Sequence, residues 1–349
     1  MDSTSTNLTL PSSSSHPPQK KHPYPVPTPG VYAPAITFFN PATDTLDLPA
    51  QEKYFAHLAH RTPLTGLIIL GTNAEPFLLS RHERKTLLHL ARASVPASYP
   101  LIAGVSGHST AQTLSYIYDA HAAGADYALV LPCAYYKPLV NTVAMVKEFY
   151  AQVASQSPLP IIVYNFPAVC NGVDLDSDCI ADLARRHANI VGVKLTCGSV
   201  AKVARLAAVL PAERFAVFGG QADFLLGGLA VGAAGCIGAF ANVCPRSVVR
   251  VFELWKAGRR AEAVALQQRL SLAEGVTKGG VGSLKFAVGV TTAPRAGVED
   301  AVRLLRPRRP YEGPSEEVKA RIVQTMEGLR GLEDEGLVED RGGKALARL

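Results

Sequence analysis

A lysine interrupts an apolar, β-branched run at Ile190-Val191-Gly192-Val193-Lys194-Leu195-Thr196. Lysine is among the residues least often buried in such a run unless something pairs it. In one reading the side chain snorkels at a strand end with its ammonium in water. In the other the amine is kept from water, is more readily neutral, and attacks a carbonyl carbon to form a Schiff base. Three further segments carry groups suited to that second chemistry: Tyr164 closing Ile161–Tyr164, Thr72-Asn73 within Gly71–Glu75, and Tyr135-Tyr136 within Pro132–Pro138. A phenol carries protons to and from a carbinolamine and the adjacent carbon. Backbone N–H groups and side chains of Thr72-Asn73 suit the clamping of a carboxylate. Each also has a structural reading, Tyr164 as a strand-end tyrosine with its hydroxyl in water and Thr72 as a helix cap. What favours chemistry is their convergence.

Other chemistries find less support. No carboxylate pair or metal-ligand spacing joins these residues, and no cofactor or metal is expected. His57 and His60 share a helix face but lack an acidic third ligand, so they read as a surface pair. Ser106-Gly107-His108-Ser109 lacks the GxSxG elbow of a serine hydrolase. Gly279-Gly280-Val281-Gly282 has no strand before it and no GK[ST] after it, and reads as a loop rather than a phosphate cradle.

The elements that must position the reactive groups alternate along the chain. Short β-rich runs fall at Val31–Phe39, Gly66–Leu70, Leu101–Val105, Tyr127–Leu131, Ile161–Tyr164, Ile190–Lys194, Phe215–Phe218 and Ala234–Ala239. Helical patterns lie between them at Leu48–His60, Arg81–Ala93, Ala111–Ala122, Val143–Gln152, Asp176–Arg186, Ser199–Val209 and Asp223–Val231. This order predicts an α/β fold, a (β/α)8 TIM barrel over 30–258, whose reacting groups sit at the carboxyl ends of the strands. A doubly wound open sheet is the alternative, but no Gly-rich dinucleotide turn follows the first strand. Further helical segments (Ser247–Ala257, Ala261–Ala273, Ser283–Val290, Asp300–Leu305) and a charge-dense stretch from Ser315, helical to about Leu332, predict a C-terminal helical region over 259–349.

The bulk composition agrees with an enzyme of this size. The chain has 349 residues, 48% hydrophobic and 18% charged, with net charge +6. The positive charge is spread out except at Arg303, Arg306, Arg308 and Arg309, which read as a solvated loop, and no nucleic-acid partner is expected. The six cysteines form no CxxC pair and suit a reducing compartment, the cytoplasm, with the mitochondrion left open. Residues 1–29, rich in Ser, Thr, Pro and His and without an apolar h-region, read as a disordered tail rather than a secretory signal. Phe224–Ala241 is free of charge and nominally long enough to span a bilayer. Its glycines and the strand before it argue instead for a buried helix and strand, so no membrane association is expected.

The motifs GTNAE (71–75), AGVSGHST (103–110), AYYKP (134–138), YNFP (164–167), GVKLTCG (192–198), FGGQADF (218–224) and FANVCP (240–245) resemble the dihydrodipicolinate synthase/N-acetylneuraminate lyase family of pyruvate-dependent class I aldolases. The likeness runs from about Val31 to about Ala293. It implies a Schiff base between Lys194 and pyruvate or another 2-oxo acid, with Tyr164 as proton carrier. Thr72 and one tyrosine of the 135–136 pair, here Tyr136, would complete a hydroxyl relay. The implied substrate-binding set is Thr72, Asn73, Tyr135, Gly220 and Ile237, and the implied assembly is a homodimer or homotetramer. Two departures bear on substrate. The family's usual second Thr is Asn73, and the turn after YNFP continues Ala168-Val169-Cys170-Asn171-Gly172 without the arginine that grips the amino-semialdehyde carboxylate in the synthase branch. The resemblance therefore leans to aldolases that cleave 4-hydroxy-2-oxoglutarate or 2-keto-3-deoxy sugar acids. Synthase-type condensation, a Schiff-base hydratase and a non-catalytic barrel are the alternatives.

Overall fold

In the computed structural model, residues 22–136 and 142–334 are described. Eight parallel strands close into a barrel in chain order, each paired with the next and β8 with β1. They are β1 (Gly30–Pro34), β2 (Gly66–Ile69), β3 (Leu101–Gly104), β4 (Tyr127–Val130), β5 (Ile161–Asn165), β6 (Ile190–Leu195), β7 (Ala216–Gly219) and β8 (Gly235–Ile237). All eight are buried along their whole length, as expected where helices cover the outer face and side chains fill the inner one. Tyr32, Ile68, Ile102, Leu129, Ile162, Val191, Phe218 and Ile237 form the inner cluster.

The covering helices are α1 (Leu48–Arg61), α2 (Arg81–Ser94), α3 (Thr110–Ala122), α4 (Val143–Gln156), α5 (Ser177–Arg186), α6 (Val200–Val209), α7 (Leu225–Ala230) and α8 (Pro245–Lys256). Their starts are written in the sequence as polar caps. Ser80 and Glu83 form a reciprocal capping box on α2, and Ser109, Thr142, Asp176 and Ser199 each accept a hydrogen bond from the first turn of the helix they precede.

Beyond α8 come α9 (Arg260–Gly275), α10 (Val281–Val290), α11 (Thr292–Arg295), α12 (Ala301–Leu304) and α13 (Glu316–Glu327). Leu284, Ala287, Ile322, Met326 and Leu329 belong to the same core cluster as the outer face of the barrel, so this region shares one core with it. Near the end of the described chain, the Glu333 carboxylate accepts from the Ser247 backbone N–H (2.7 Å) at the head of α8.

Several expectations need correction. The first strand stops at Pro34 rather than Phe39, because the chain there leaves the sheet for other partners: Phe38 N–H donates to Gln51 Oε1 (3.0 Å) and Phe39 N–H to the Leu304 carbonyl (3.0 Å). The Gly279–Gly282 segment is a loop only through Gly280, since α10 begins at Val281. The stretch 1–29 is described from His22 onward. In that part Val26 packs against the inner cluster and Pro27 is buried, so it lies under the barrel instead of trailing away. Residues 1–21 and 335–349 lie outside the described residues. The charge-free run at 224–241 resolves into α7, β8 and a 3-10 turn, and no helix among the described residues is long and apolar enough to cross a membrane.

Candidate active site

Lys194 points into the barrel because β6 changes phase. Along this strand Val191 belongs to the inner cluster, whereas Ile190, Val193 and Leu195 face the helices. Strict alternation from Val191 would have put Val193 and Leu195 inside and Lys194 out. An irregularity opposite Ile161/Ile162 resets the register, so that Ile162 pairs with Gly192 and Tyr164 with Lys194. Bulges re-aim side chains in this way. Gly192 permits it, since a Cβ there would lie 2.8 Å from the Ala216 carbonyl oxygen.

Inside the barrel three groups form a hydrogen-bonded chain. Lys194 Nζ donates to Tyr164 OH (3.2 Å), and that phenol lies 3.2 Å from Thr72 Oγ1. Both Lys194 and Tyr164 are 3% exposed, and the ammonium nitrogen lies 4.3 Å from the centre of the Tyr164 ring. The next residue on β5, Asn165, is fully buried; its Nδ2 donates to Asp174 Oδ1 (2.8 Å) and its Oδ1 accepts from Leu175 N–H (2.9 Å). Burial alone would raise the Asp174 carboxyl, but hydrogen bonds from Lys202 and Asn165 outweigh it and hold the group below its ordinary range.

The other expected residues are placed unevenly. Asn73 lies half-buried beside Thr72 in the 3-10 turn Thr72–Ala74. Ile237 ends β8 within the inner cluster that includes Tyr164. Gly220 donates to the Leu195 carbonyl (3.0 Å), and a Cβ on it would meet Thr196 Oγ1 at 2.0 Å, so only glycine fits beside the turn after Lys194. Tyr135 and Tyr136 are 69% and 63% exposed, and no hydrogen bond among the described residues joins either to the Lys194–Tyr164–Thr72 chain. They extend an aromatic strip at the barrel rim, in which Phe77 stacks on His108, His108 meets Tyr135 edge-on and Tyr135 meets Tyr136. Lys137 and Pro138 of the same motif lie outside the described residues.

Two features had no reading in the sequence, and a third departs from its reading. Thr196, two residues beyond Lys194, has a buried hydroxyl with no partner among the described residues. Glu75 and Lys285 form a buried ion pair (2.6 Å) between the Thr72 turn and α10. Of the arginines expected in a solvated loop, Arg303, Arg306 and Arg309 are exposed, but Arg308 is a tether: it is bidentate to Glu83 (2.9 Å for each bond) and also donates to the Leu78 carbonyl (2.9 Å). His57 likewise is half-buried rather than on the surface. Burial, with Arg246, Arg295 and Arg61 nearby, pushes its pKa down to about 4. Among the described residues no group of three or more His, Cys, Asp or Glu could hold a metal ion.

Comparison with known proteins adds the lineage. The sequence profile described as the dihydrodipicolinate synthetase family matches residues 28–326. A protein of Coccidioides immitis (strain RS), provisionally named 4-hydroxy-2-oxoglutarate aldolase, mitochondrial, is 53% identical over 88% of this chain and 98% of its own. The L-threo-3-deoxy-hexylosonate aldolase of Aspergillus niger is 38% identical over 74% of this chain and 85% of its own. Among solved structures, an E. coli K12 prophage protein of the dihydrodipicolinic acid synthase family, in complex with pyruvate, superposes with a TM-score of 0.75 at 27% identity, covering 87% of this chain and 98% of that one. On the extent of the profile match and the identity to these relatives, this chain belongs to the dihydrodipicolinate synthetase family.

Proposed function

We propose that this chain is a class I aldolase that cleaves a 4-hydroxy-2-oxo acid to pyruvate and an aldehyde through an imine on Lys194. The observation that carries the reading is the hydrogen-bonded amine–phenol–hydroxyl chain of buried Lys194 and Tyr164 and half-buried Thr72 at the carboxyl ends of β6, β5 and β2. Lys194 Nζ attacks the C2 carbonyl, and Tyr164 OH protonates the departing oxygen so that water leaves and the imine forms. The C4 hydroxyl then gives its proton to the Tyr164 oxygen, left deprotonated by the preceding step, and the C3–C4 bond breaks. Its electron pair moves into the imine to give an enamine, and the aldehyde departs. Protonation at C3 through Tyr164, followed by addition of water at C2, releases pyruvate and restores the amine. Thr72 passes protons onward from Tyr164. Tyr136 is assigned with Thr72 to the hydroxyl relay, and Thr72, Asn73, Tyr135, Gly220 and Ile237 to the substrate pocket. The absence of an arginine in Ala168–Gly172 weighs against the amino-semialdehyde substrate of the synthases.

The names of the relatives support two substrates, 4-hydroxy-2-oxoglutarate and a 3-deoxy-hexulosonate. Borohydride reduction with pyruvate, followed by peptide mass spectrometry, tests the class: a pyruvate-sized adduct on Lys194 is expected, and a folded protein without it ends the reading. Coupled pyruvate release with each oxo acid then ranks the substrates. A hydratase would dehydrate them without releasing pyruvate.

We also assign the protein to a homo-oligomer, since the exposed Tyr135–Tyr136 pair is a surface that a second copy would cover. Light scattering at the monomer mass would remove that assignment. A reducing compartment, cytosol or mitochondrial matrix, completes the proposal. The relative from Coccidioides immitis is named mitochondrial, and imaging of a tagged full chain separates the two.

A further inference from the structure

The turn that carries Thr72 is closed by a residue in an uncommon conformation. Glu75 lies in the left-handed region (φ 58°, ψ 42°), which non-glycine residues seldom adopt. Its N–H donates to the Thr72 carbonyl (3.1 Å), and Ala74 N–H donates to the Gly71 carbonyl (2.9 Å), which together wind Thr72–Ala74 into its single 3-10 turn. The turn is then gripped from outside. Thr37 Oγ1 donates to the Ala74 carbonyl (2.8 Å). Both oxygens of the buried Glu75 carboxylate are taken: Oε1 accepts from Lys285 Nζ (2.6 Å), and Oε2 accepts from the Arg308 backbone N–H (2.8 Å). Lys285 is 0% exposed and also donates to the Arg306 carbonyl (3.0 Å). The Phe39 ring lies under both cations, 4.5 Å from Lys285 Nζ and 5.2 Å from the Arg308 guanidinium.

A buried ion pair is a poor way to add stability, because removing both charges from water offsets their attraction, and an apolar pair of similar volume often does as well. What such a pair supplies is one geometry. The geometry at stake here is the 3.2 Å contact between Thr72 Oγ1 and Tyr164 OH, already at the long end for two hydroxyls, so small shifts of the turn break it. We propose that Glu75 and Lys285 are positioning residues for the reaction: anchored by the Arg306–Arg308 backbone, the pair holds the Thr72 turn in register with Tyr164. The C-terminal helices thereby govern proton transfer at Lys194. Burial lowers the Lys285 pKa to about 8, with Glu75 opposing the shift. This inference rests on the aldolase reading above.

The test separates imine formation from the later proton step. The variants are Glu75→Gln, Lys285→Met and the double Glu75→Gln/Lys285→Met, which leaves no buried charge unpaired. Folding is checked by circular dichroism, the imine by borohydride trapping with pyruvate, and enamine formation by exchange of the pyruvate methyl protons for deuterium, followed by NMR. The expected result is a folded double variant that, given time to equilibrate with pyruvate, reaches the wild-type extent of Lys194 adduct. Its exchange is at least tenfold slower, with half-saturation by pyruvate unchanged. Exchange at the wild-type rate in folded variants, even with a lowered melting temperature, would make the pair merely structural and overturn the proposal. Should the double variant not fold, Glu75→Gln, which keeps the side-chain shape, decides by the same exchange rate. Wild-type protein showing neither adduct nor exchange removes the aldolase reading, and this proposal with it.

Discussion

Three lysines are buried among the described residues, and their partners tell them apart. Lys202 is paired with Asp174 and Lys285 with Glu75, whereas Lys194 meets only the phenol of Tyr164. A lysine locked to a carboxylate is committed to that ion pair; Lys194 is not. Replacing Lys194 by Ala is therefore expected to abolish both the borohydride adduct and pyruvate release while the circular dichroism spectrum stays that of wild type. For Tyr164→Phe, turnover should fall roughly 10²–10⁴-fold, the usual weight of a positioned proton carrier. A near wild-type rate would return Tyr164 to a structural part. Within the aldolase proposal, the Thr196 hydroxyl, two residues beyond Lys194 and without a partner among the described residues, is assigned to substrate contact. On that account Thr196→Val leaves adduct formation intact and slows cleavage of the full oxo acid by about tenfold, as loss of one hydrogen bond of ~1.5 kcal/mol would do. Lys194 was legible in the sequence because a charge in a β-branched run is conspicuous. Thr196 was not, since a threonine at a strand end is ordinary and only its missing partner marks it.

The strands and helices were legible to within a few residues, the first strand's end excepted, because parallel strands buried on both faces read as apolar runs and most helices open on a polar cap. What the chain did not disclose was the direction of β6. Apolar residues fill both faces of that strand, so the pattern carries no phase, and the shift that turns Lys194 inward appears only in its pairing with β5. Gly192→Ala tests this element. A methyl group 2.8 Å from the Ala216 carbonyl oxygen forces the strands apart. The expected loss is on the order of 1–3 kcal/mol in urea unfolding, together with a drop in adduct formation larger than the lost stability explains. The Glu75–Lys285 pair was illegible for a different reason. Lys285 sits in a helical pattern, where a lysine usually marks a solvated face, and its carboxylate lies far off in the chain. Arg308 was misread in the same way.

At the level of the whole molecule, one buried carboxyl couples stability to pH. Glu274 on α9 accepts from Ala222 N–H (3.4 Å), and its other oxygen has no partner among the described residues. Burial, and then the nearby Asp223, push its pKa from 4.5 up to about 7. A folded-state value above the unfolded one favours the protonated, folded form. This stability is full below about pH 4.5 and is lost as pH rises through about 7. Glu274→Gln should flatten that part of the profile and raise stability at pH 8 by on the order of 1–3 kcal/mol, read from urea midpoints at pH 5 and pH 8. The closure of the ring has a consequence of another kind. β1 is the first strand to be synthesised, but its second neighbour is β8, and Gly235 passes so near Gly30 that a Cβ on it would lie 1.8 Å from the Gly30 carbonyl oxygen. Until the ribosome has passed Ile237, the growing sheet has two raw edges, each able to pair with a neighbouring nascent chain. A transcript cut short before that point is therefore expected to yield a polypeptide that holds Lys194, Tyr164 and Thr72 yet aggregates through those edges.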